Sequence, residues 1–197
     1  MAAPYRSEST RAADKVSAVS LYAAFLRGMN IGGHRLTNDE LRAHFVAMGF
    51  AEVATFRASG NVVFAGEARP PEQVQEQIED GLAAALGYAV PTFIRTAAEV
   101  HAIAAAAPFE QERLRSSAGK LQVGLLAASP SAPARADALA QAGEQDGLVF
   151  EGREVYWLPS GGVLGSALDM TVLARLLGSM TIRTKGTIEQ ITAKHLA

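Results

Sequence analysis

Two glycine-rich segments early in the chain hold residue types that could bind a small ligand. Residues 27–33 place Arg27 and Asn30 among glycines, and residues 59–61 form a Ser-Gly-Asn turn. Glycines leave backbone N–H groups accessible, arginine supplies a permanent positive charge, and asparagine adds side-chain donors. This combination indicates a site for a small anionic or carbonyl-bearing molecule. The residues predicted to form it are Arg27, Asn30, Gly32, Gly33, Ser59, Gly60 and Asn61.

The spacing of these glycines excludes two common phosphate-binding motifs. Gly28 and Gly32 are not spaced as in G-x-G-x-x-G, and no Gly-Lys-Ser/Thr follows them as in a P-loop. Glycine also punctuates ordinary turns. A strained turn before a helix, followed by a Gly-Asn hairpin turn, is therefore the alternative interpretation.

A second candidate for anion binding lies near the end of the chain. Residues 161–166 are rich in glycine and precede a predicted helix, with Ser166 as its N-cap and Asp169 at its third position. Residues 183–186 end the last predicted strand and carry two cations. Cations beside a helix start suit an anion, although cations that simply face water explain the same pattern. This secondary anion site is predicted to comprise Gly165, Ser166, Arg183 and Lys185.

The sequence contains none of the common catalytic constellations. It has no cysteine, which excludes disulfides, thiolate nucleophiles and zinc–sulfur sites. His34, His44, His101 and His195 are scattered without metal-ligand spacing. Ser59 does not lie in a G-x-S-x-G elbow. We therefore predict no metal and no cofactor, identify no catalytic residue, and leave open whether the protein is an enzyme.

Helix caps and hydrophobic patterning predict the elements that position these residues. Thr37 with Glu40, and Thr96 with Glu99, have capping-box spacing, in which hydroxyl and carboxylate satisfy free N–H groups at a helix start. A last helix is predicted to begin at Thr187. The order strand, helix, strand, strand, helix, strand occurs twice, with little residue-level identity between the two copies.

This order predicts an α+β fold of two tandem ferredoxin-like (βαββαβ) subdomains, each an antiparallel sheet with helices on one face. In that topology the end of strand one and the hairpin between strands two and three share an edge, so residues 27–33 should meet residues 59–61. The predicted organisation is a flexible N-terminal tail (1–18), a first subdomain (19–96), a connecting helix and linker (97–120), and a second subdomain with a C-terminal helix (121–197).

Charge and hydropathy limit the partners. The formal net charge is −2 and evenly spread, which disfavours a nucleic-acid binder. The local cations Arg183 and Lys185 nevertheless keep nucleic-acid or nucleotide-phosphate binding as an alternative. Exposed sheet edges keep a protein-interaction or oligomer module as another. No apolar run reaches the ~18 residues needed to span a bilayer, and the chain's start lacks a signal-peptide core. We expect a cytoplasmic protein with a small anionic partner, no membrane partner and an undetermined oligomeric state.

Several motifs resemble one bacterial family. The segment from Tyr22 to Gly33, containing Leu-Arg-Gly-Met-Asn-Ile-Gly-Gly, and residues 59–64, Ser-Gly-Asn-Val-Val-Phe, are similar to the family called domain of unknown function 1697. The resemblance implies two ferredoxin-like or related subdomains in a cytoplasmic protein, and it implies no reaction. That family's second-half signature is Thr-x-Arg-Asn-Trp-Asn-Thr. Here Thr181, Arg183 and Thr187 match it, whereas Thr-Lys-Gly replaces Asn-Trp-Asn.

Overall fold

Local sequence signals account for most element boundaries. A computed structural model describes residues 18–30, 35–57, 60–117, 120–142, 146–160 and 162–196. Almost all of the predicted tail therefore lies outside the described residues. The first half comprises β1 (Val19–Leu26), α1 (Asn38–Ala47), β2 (Ala51–Thr55), β3 (Asn61–Glu67), α2 (Pro71–Leu86) and β4 (Thr92–Thr96). The remainder comprises α3 (Ala97–Ala105), α4 (Gln111–Ser116), β5 (Gln122–Leu126), α5 (Ala132–Gln141), β6 (Gly147–Glu151), β7 (Glu154–Leu158), α6 (Met170–Leu177), β8 (Met180–Thr184) and α7 (Lys185–His195).

The strands form two four-stranded sheets with the same topology. The strand orders are β2-β3-β1-β4 and β6-β7-β5-β8, and every pairing is antiparallel. This is the order expected of a βαββαβ unit, so the predicted fold class is confirmed. We call the first sheet with α1 and α2 the first lobe, and the second sheet with α5 and α6 the second lobe.

Each lobe buries one sheet face under its own helices. In the first lobe both helices pack in a single buried cluster with strand residues on the sheet face that points away from the second lobe. The helix residues of this cluster include Leu41 and Phe45 of α1 and Ile78 and Leu82 of α2. In the second lobe Leu173 and Leu177 of α6 belong to the corresponding cluster. These apolar residues recur at helical spacing, which is why each helix presents one stripe to its sheet.

The other face of each sheet contributes to a core that both lobes share. Phe25 and Phe93 of the first sheet belong to one buried cluster with Leu125 and Tyr156 of the second. Helices α3 and α7 pack against each other and also add residues to this cluster. The segment interpreted as a connecting helix and linker is therefore partly a component of the core between the lobes.

Three helix predictions in the second half need correction. Helix α6 is capped by Asp169, whose carboxylate accepts the N–H groups of Thr171 and Val172, so Ser166 is not its N-cap. Helix α7 was predicted to begin at Thr187, but it begins at Lys185, and its N-cap is Thr184, three residues before the predicted start. The short helix α4 lies in a polar stretch for which no helix was predicted.

Candidate functional site

The residues predicted to form the first site take three different roles. Asn61 is 1% exposed; its Nδ2 donates to the Phe56 carbonyl (3.0 Å). Asn30 is exposed, and its Oδ1 accepts the N–H of Leu36 (2.8 Å), two residues before α1 begins. Arg27 is exposed, with Nη1 3.4 Å from the Ser179 hydroxyl. Asn61 therefore does not line an open surface with Asn30.

Other residues of that predicted site are structural or cannot be placed. Gly60 has φ +68°, and its carbonyl accepts the Leu26 N–H at 2.7 Å. Gly32, Gly33 and Ser59 lie outside the described residues.

Arg183 of the predicted secondary site reaches across into the first lobe. Its Nε donates to Asn61 Oδ1 (2.6 Å) and its Nη2 to the carbonyl of Leu26, the last residue of β1 (2.8 Å). Burial lowers the pKa of Arg183 to about 10, which is still high enough to keep it charged at neutral pH. This guanidinium is occupied in holding the lobes together.

Arg95 makes the reciprocal connection from the first lobe to the second. It is fully buried; its Nε donates to Glu154 (2.6 Å), the first residue of β7, and its Nη2 to the carbonyl of Leu126, the last residue of β5 (2.9 Å). Arg183 makes the equivalent contacts with the first residue of β3 and the last residue of β1. We call Arg95 and Arg183 the crossing arginines.

The glycine-rich turn of the second lobe surrounds an acid. The Ser166 hydroxyl donates to Asp146 Oδ2, and the Ser160 N–H donates to Oδ1, both at 2.5 Å. Burial acts to raise the pKa of Asp146, but these hydrogen bonds outweigh it and the pKa is lowered. Gly165 is exposed and its N–H donates to the Gly162 carbonyl. A carboxylate at this position opposes anion binding by Ser166.

Lys185, the last of these residues, lines a large open groove with cations that the sequence did not single out. The groove has a volume of about 620 Å³ and lies where the β2–β3 hairpin, α3, α4 and the start of α7 meet. Three cations line it against one carboxylate, Glu189. We call it the cationic groove; the charged residues among its lining are Arg57, Lys120, Lys185 and Glu189.

Two of the three cations have no carboxylate partner among the described side chains. Lys185 Nζ donates to Glu189 (2.5 Å) and to the Ala104 carbonyl (2.7 Å). Arg57 donates to the neutral amide of Gln190 (2.8 Å). Among the described side chains, no carboxylate lies within ion-pair distance of Arg57 or Lys120. The groove therefore keeps an excess of positive charge.

The start of α7 adds backbone donors to this groove. Thr184 caps the helix by accepting the Thr187 N–H, and the Lys185 N–H donates to the Leu121 carbonyl. Within the described part of the chain, the Gly186 N–H has no acceptor. Free N–H groups in the first turn of a helix carry partial positive charge, so the helix reinforces the field of the side chains.

The equivalent junction at the other side of the molecule is closed by an ion pair. There, Arg153 of the β6–β7 hairpin donates to Glu99 of α3 (2.6 Å), whereas Arg57 of the β2–β3 hairpin donates to the neutral amide of Gln190. Glu99 is the third residue of α3, and Thr187 holds that position in α7. The acid at that position of α3 has no counterpart in α7, so Arg57 lacks the kind of partner that Arg153 has in Glu99.

Sequence reasoning missed Arg57 and Lys120 because their cationic setting is assembled from both lobes. One local signal was readable: the capping box Thr96-x-x-Glu99 has an acid at its fourth position, whereas Thr184-x-x-Thr187 lacks one. The strained backbone of Arg57, at φ +57°, could not be predicted from the sequence. Such a conformation is uncommon for a residue with a Cβ and is often found at functional positions.

Other chemistry is not evident in the described part of the chain. No group of three or more His, Cys, Asp or Glu residues there could hold a metal ion. None of the helices described is both long and apolar enough to cross a membrane.

Fold and site together define a tandem ferredoxin-like protein whose lobes stack through a shared core and form a cationic groove at one junction. The chain belongs to the family described as protein of unknown function (DUF1697), whose model matches residues 19–156. It is similar in structure to the conserved bacterial protein SP0830 from Streptococcus pneumoniae, with a TM-score of 0.71 and 18% sequence identity. That match covers 91% of this chain and 100% of the other. No curated protein matches the sequence.

Proposed function

We propose that the protein binds a small polyanion, such as a phosphate ester, in the cationic groove. The observation that carries this proposal is that Arg57 and Lys120 have no carboxylate partner among the described side chains, whereas Arg153 and Glu99 pair at the equivalent junction. A groove of about 620 Å³ lies within the usual range for small-molecule sites. We also propose a cytoplasmic location, with which the cysteine-free composition is compatible.

In this proposal each donor of the cationic groove has a different role in binding the polyanion. Arg57 can offer a planar fork to two anionic oxygens, whereas Lys120 acts as a mobile point charge. Gly186 also lines the groove, and its backbone N–H can supply a fixed donor. Lys185, which is paired with Glu189, positions α7 against α3 through the Ala104 carbonyl.

The test is a titration calorimetry experiment with inorganic pyrophosphate at low ionic strength. The variant Arg57→Gln/Lys120→Gln removes two cations whose side chains are not in ion pairs with described residues. A hydrogen bond to a charged group contributes about 1.5–3 kcal/mol, so the double variant should raise the Kd at least tenfold. Lys185 is left in place because its removal would also break its hydrogen bond to the Ala104 carbonyl of α3.

The matched control is Arg42→Gln/Arg175→Gln, which removes the same charge from exposed positions outside the groove. It should bind pyrophosphate almost as wild type does. Equal weakening in both double variants would reduce the effect to net charge and contradict the proposal. Absence of pyrophosphate binding to the wild type, together with tight binding of a single-stranded oligonucleotide, would favour the nucleic-acid alternative instead.

A further inference from the structure

A second groove, separate from the cationic groove, combines one cation with an apolar floor. It follows the end of β1 and has a volume of about 300 Å³. Its lining consists of Arg27, Met170, Ala174, Met180, Thr181 and Ile182. Arg27 comes from the first lobe and the others from α6 and β8 of the second. We call it the Arg27 groove.

The guanidinium of Arg27 has one long polar contact among the described residues. The contact of Nη1 with the Ser179 hydroxyl, at 3.4 Å, is longer than an ordinary hydrogen bond. Within the described ranges no carboxylate forms an ion pair with it. Its guanidinium is exposed and can still form a two-pronged contact with a carboxylate.

The floor of the Arg27 groove is shared with a small internal cavity. Met170, Met180 and Ile182 line both spaces, and Trp157 lines the inner one. The inner cavity has a volume of about 10 Å³, close to the minimum for one water molecule. Trp157 is 3% exposed, and its indole N–H has no hydrogen-bond partner among the residues that the structure describes. An unpaired buried N–H costs free energy, so the hydrogen-bonding capacity beneath the floor of the groove is not fully satisfied.

We propose that the Arg27 groove binds a small amphipathic carboxylate. The carboxylate pairs with Arg27, and an alkyl or aryl body lies on Met170, Met180 and Ile182. Methionine side chains are flexible and adapt readily to an apolar surface, so the floor can deform toward the cavity above Trp157. Burial of apolar ligand surface then adds to the charged contact.

This proposal is independent of the cationic groove. The two grooves share no lining residue, and they differ in chemistry: several cations suit a polyanion, whereas one cation over a methionine-rich floor suits a monoanion with an apolar body. Either site can fail its test without affecting the other.

Trp157 provides a built-in reporter because it is the sole tryptophan in the chain. Full-length protein is titrated with octanoate while indole fluorescence is recorded. Octanamide has the same apolar body without the charge, and acetate has the charge without the body. We expect a saturable spectral change with octanoate, at least tenfold weaker binding of octanamide, and no saturation with acetate over the same range.

Two substitutions at Arg27 and one control locate the site. Arg27→Gln should weaken octanoate binding at least tenfold, and Arg27→Lys should restore part of the affinity. Arg175→Gln removes an exposed charge from the same helix as Ala174, outside the groove, and should leave binding unchanged. Ala174→Phe fills the groove from a half-buried position on α6 and should also block binding.

Three results would overturn the proposal. Equal affinities for octanoate and octanamide would remove the role of the charge. Unchanged binding in both Arg27→Gln and Ala174→Phe would move the ligand elsewhere. If octanoate produces no spectral change and no shift in melting temperature, the groove does not bind this class of ligand.

Discussion

Arginines near the ends of strands have opposite roles in this molecule, depending on their burial. Arg27 follows β1 and is exposed, whereas Arg95 and Arg183, each one residue from the end of β4 or β8, point across to the other lobe. Burial lowers the pKa of Arg95, opposed by the neighbouring Glu154 carboxylate. Both crossing arginines donate to a carbonyl group at the end of a central strand in the other sheet.

Arg183→Ala should therefore destabilise the protein far more than Arg27→Ala. Loss of the Arg183 guanidinium removes the buried hydrogen bonds that it donates to Asn61 Oδ1 and to the Leu26 carbonyl. An unsatisfied buried polar group costs about 1–3 kcal/mol, so we expect a loss of about 3 kcal/mol in the free energy of unfolding. Arg27→Ala, an exposed change, should stay within about 0.5 kcal/mol. Urea denaturation measures both; similar losses would contradict the assignment of Arg183 as a structural contact.

The role of Arg183 could not be predicted from local sequence. An arginine in a charged segment at a strand end is usually exposed, and this expectation put Arg183 in a solvent-facing anion site. Its main partner, Asn61, lies 122 residues earlier. Only the stacking of the two sheets brings them together, and that stacking follows from apolar residues on the inner faces rather than from any motif.

At the scale of elements, the β2–β3 hairpin positions both a crossing contact and the cationic groove. Gly60 sits between Arg57 and Asn61 in a left-handed conformation, and a Cβ there would lie 3.0 Å from Leu26 Cβ. Gly152, in the β6–β7 hairpin, has a similar φ of +57° but its nearest obstacle is the flexible carboxylate of Glu154 at 3.5 Å. The two turns differ in crowding more than in backbone conformation.

Gly60→Ala should consequently cost more stability than Gly152→Ala. The second substitution carries mainly the left-handed backbone strain, about 1 kcal/mol. The first adds a collision with β1 and should cost about 1 kcal/mol or more beyond that. Thermal unfolding of the two variants provides the comparison. Gly60→Ala should also weaken pyrophosphate binding, because it displaces the hairpin that carries Arg57; equal stabilities of the two variants would contradict the crowding argument.

Helix starts that are set by residues close in sequence were predicted correctly. A helix start at which two candidate cap residues compete was not. The boxes Thr37 with Glu40 and Thr96 with Glu99 are present as predicted. At α6 two cap residues compete, and Asp169 displaces Ser166, whose hydroxyl is engaged by Asp146. Helix α4 has no side-chain cap and no fully buried residue, so its short sequence carried little helical signal.

At the scale of the whole molecule, neither lobe buries its inner face alone. Phe25 and Phe93 are at most 1% exposed because the second sheet covers them, and Leu125 and Tyr156 are covered in turn. This shared core explains why βαββαβ order in the sequence predicted each sheet correctly but not the relation between them. Sheet order follows from connections within a lobe, whereas stacking follows from matching apolar faces.

Fragments 18–96 and 120–196 should therefore be unstable when expressed separately. Each would expose the apolar inner face of its sheet, and we expect binding of a hydrophobic dye and loss of a cooperative thermal transition. The intact chain should unfold in a single transition with matching calorimetric and van't Hoff enthalpies. A fragment that melts cooperatively at the temperature of the full protein would show that the lobes are independent.

The reciprocity of the crossing arginines has a consequence for how this architecture can change. Each half donates one arginine and accepts the other's, which is the pattern that two-fold symmetry imposes on an interface between identical subunits. Joining the halves in a single polypeptide preserves that isologous pattern without requiring identity. Glu99 can then close one junction while Thr187 leaves the other open. A homodimer of one βαββαβ unit would carry two open junctions or none; the tandem chain carries one.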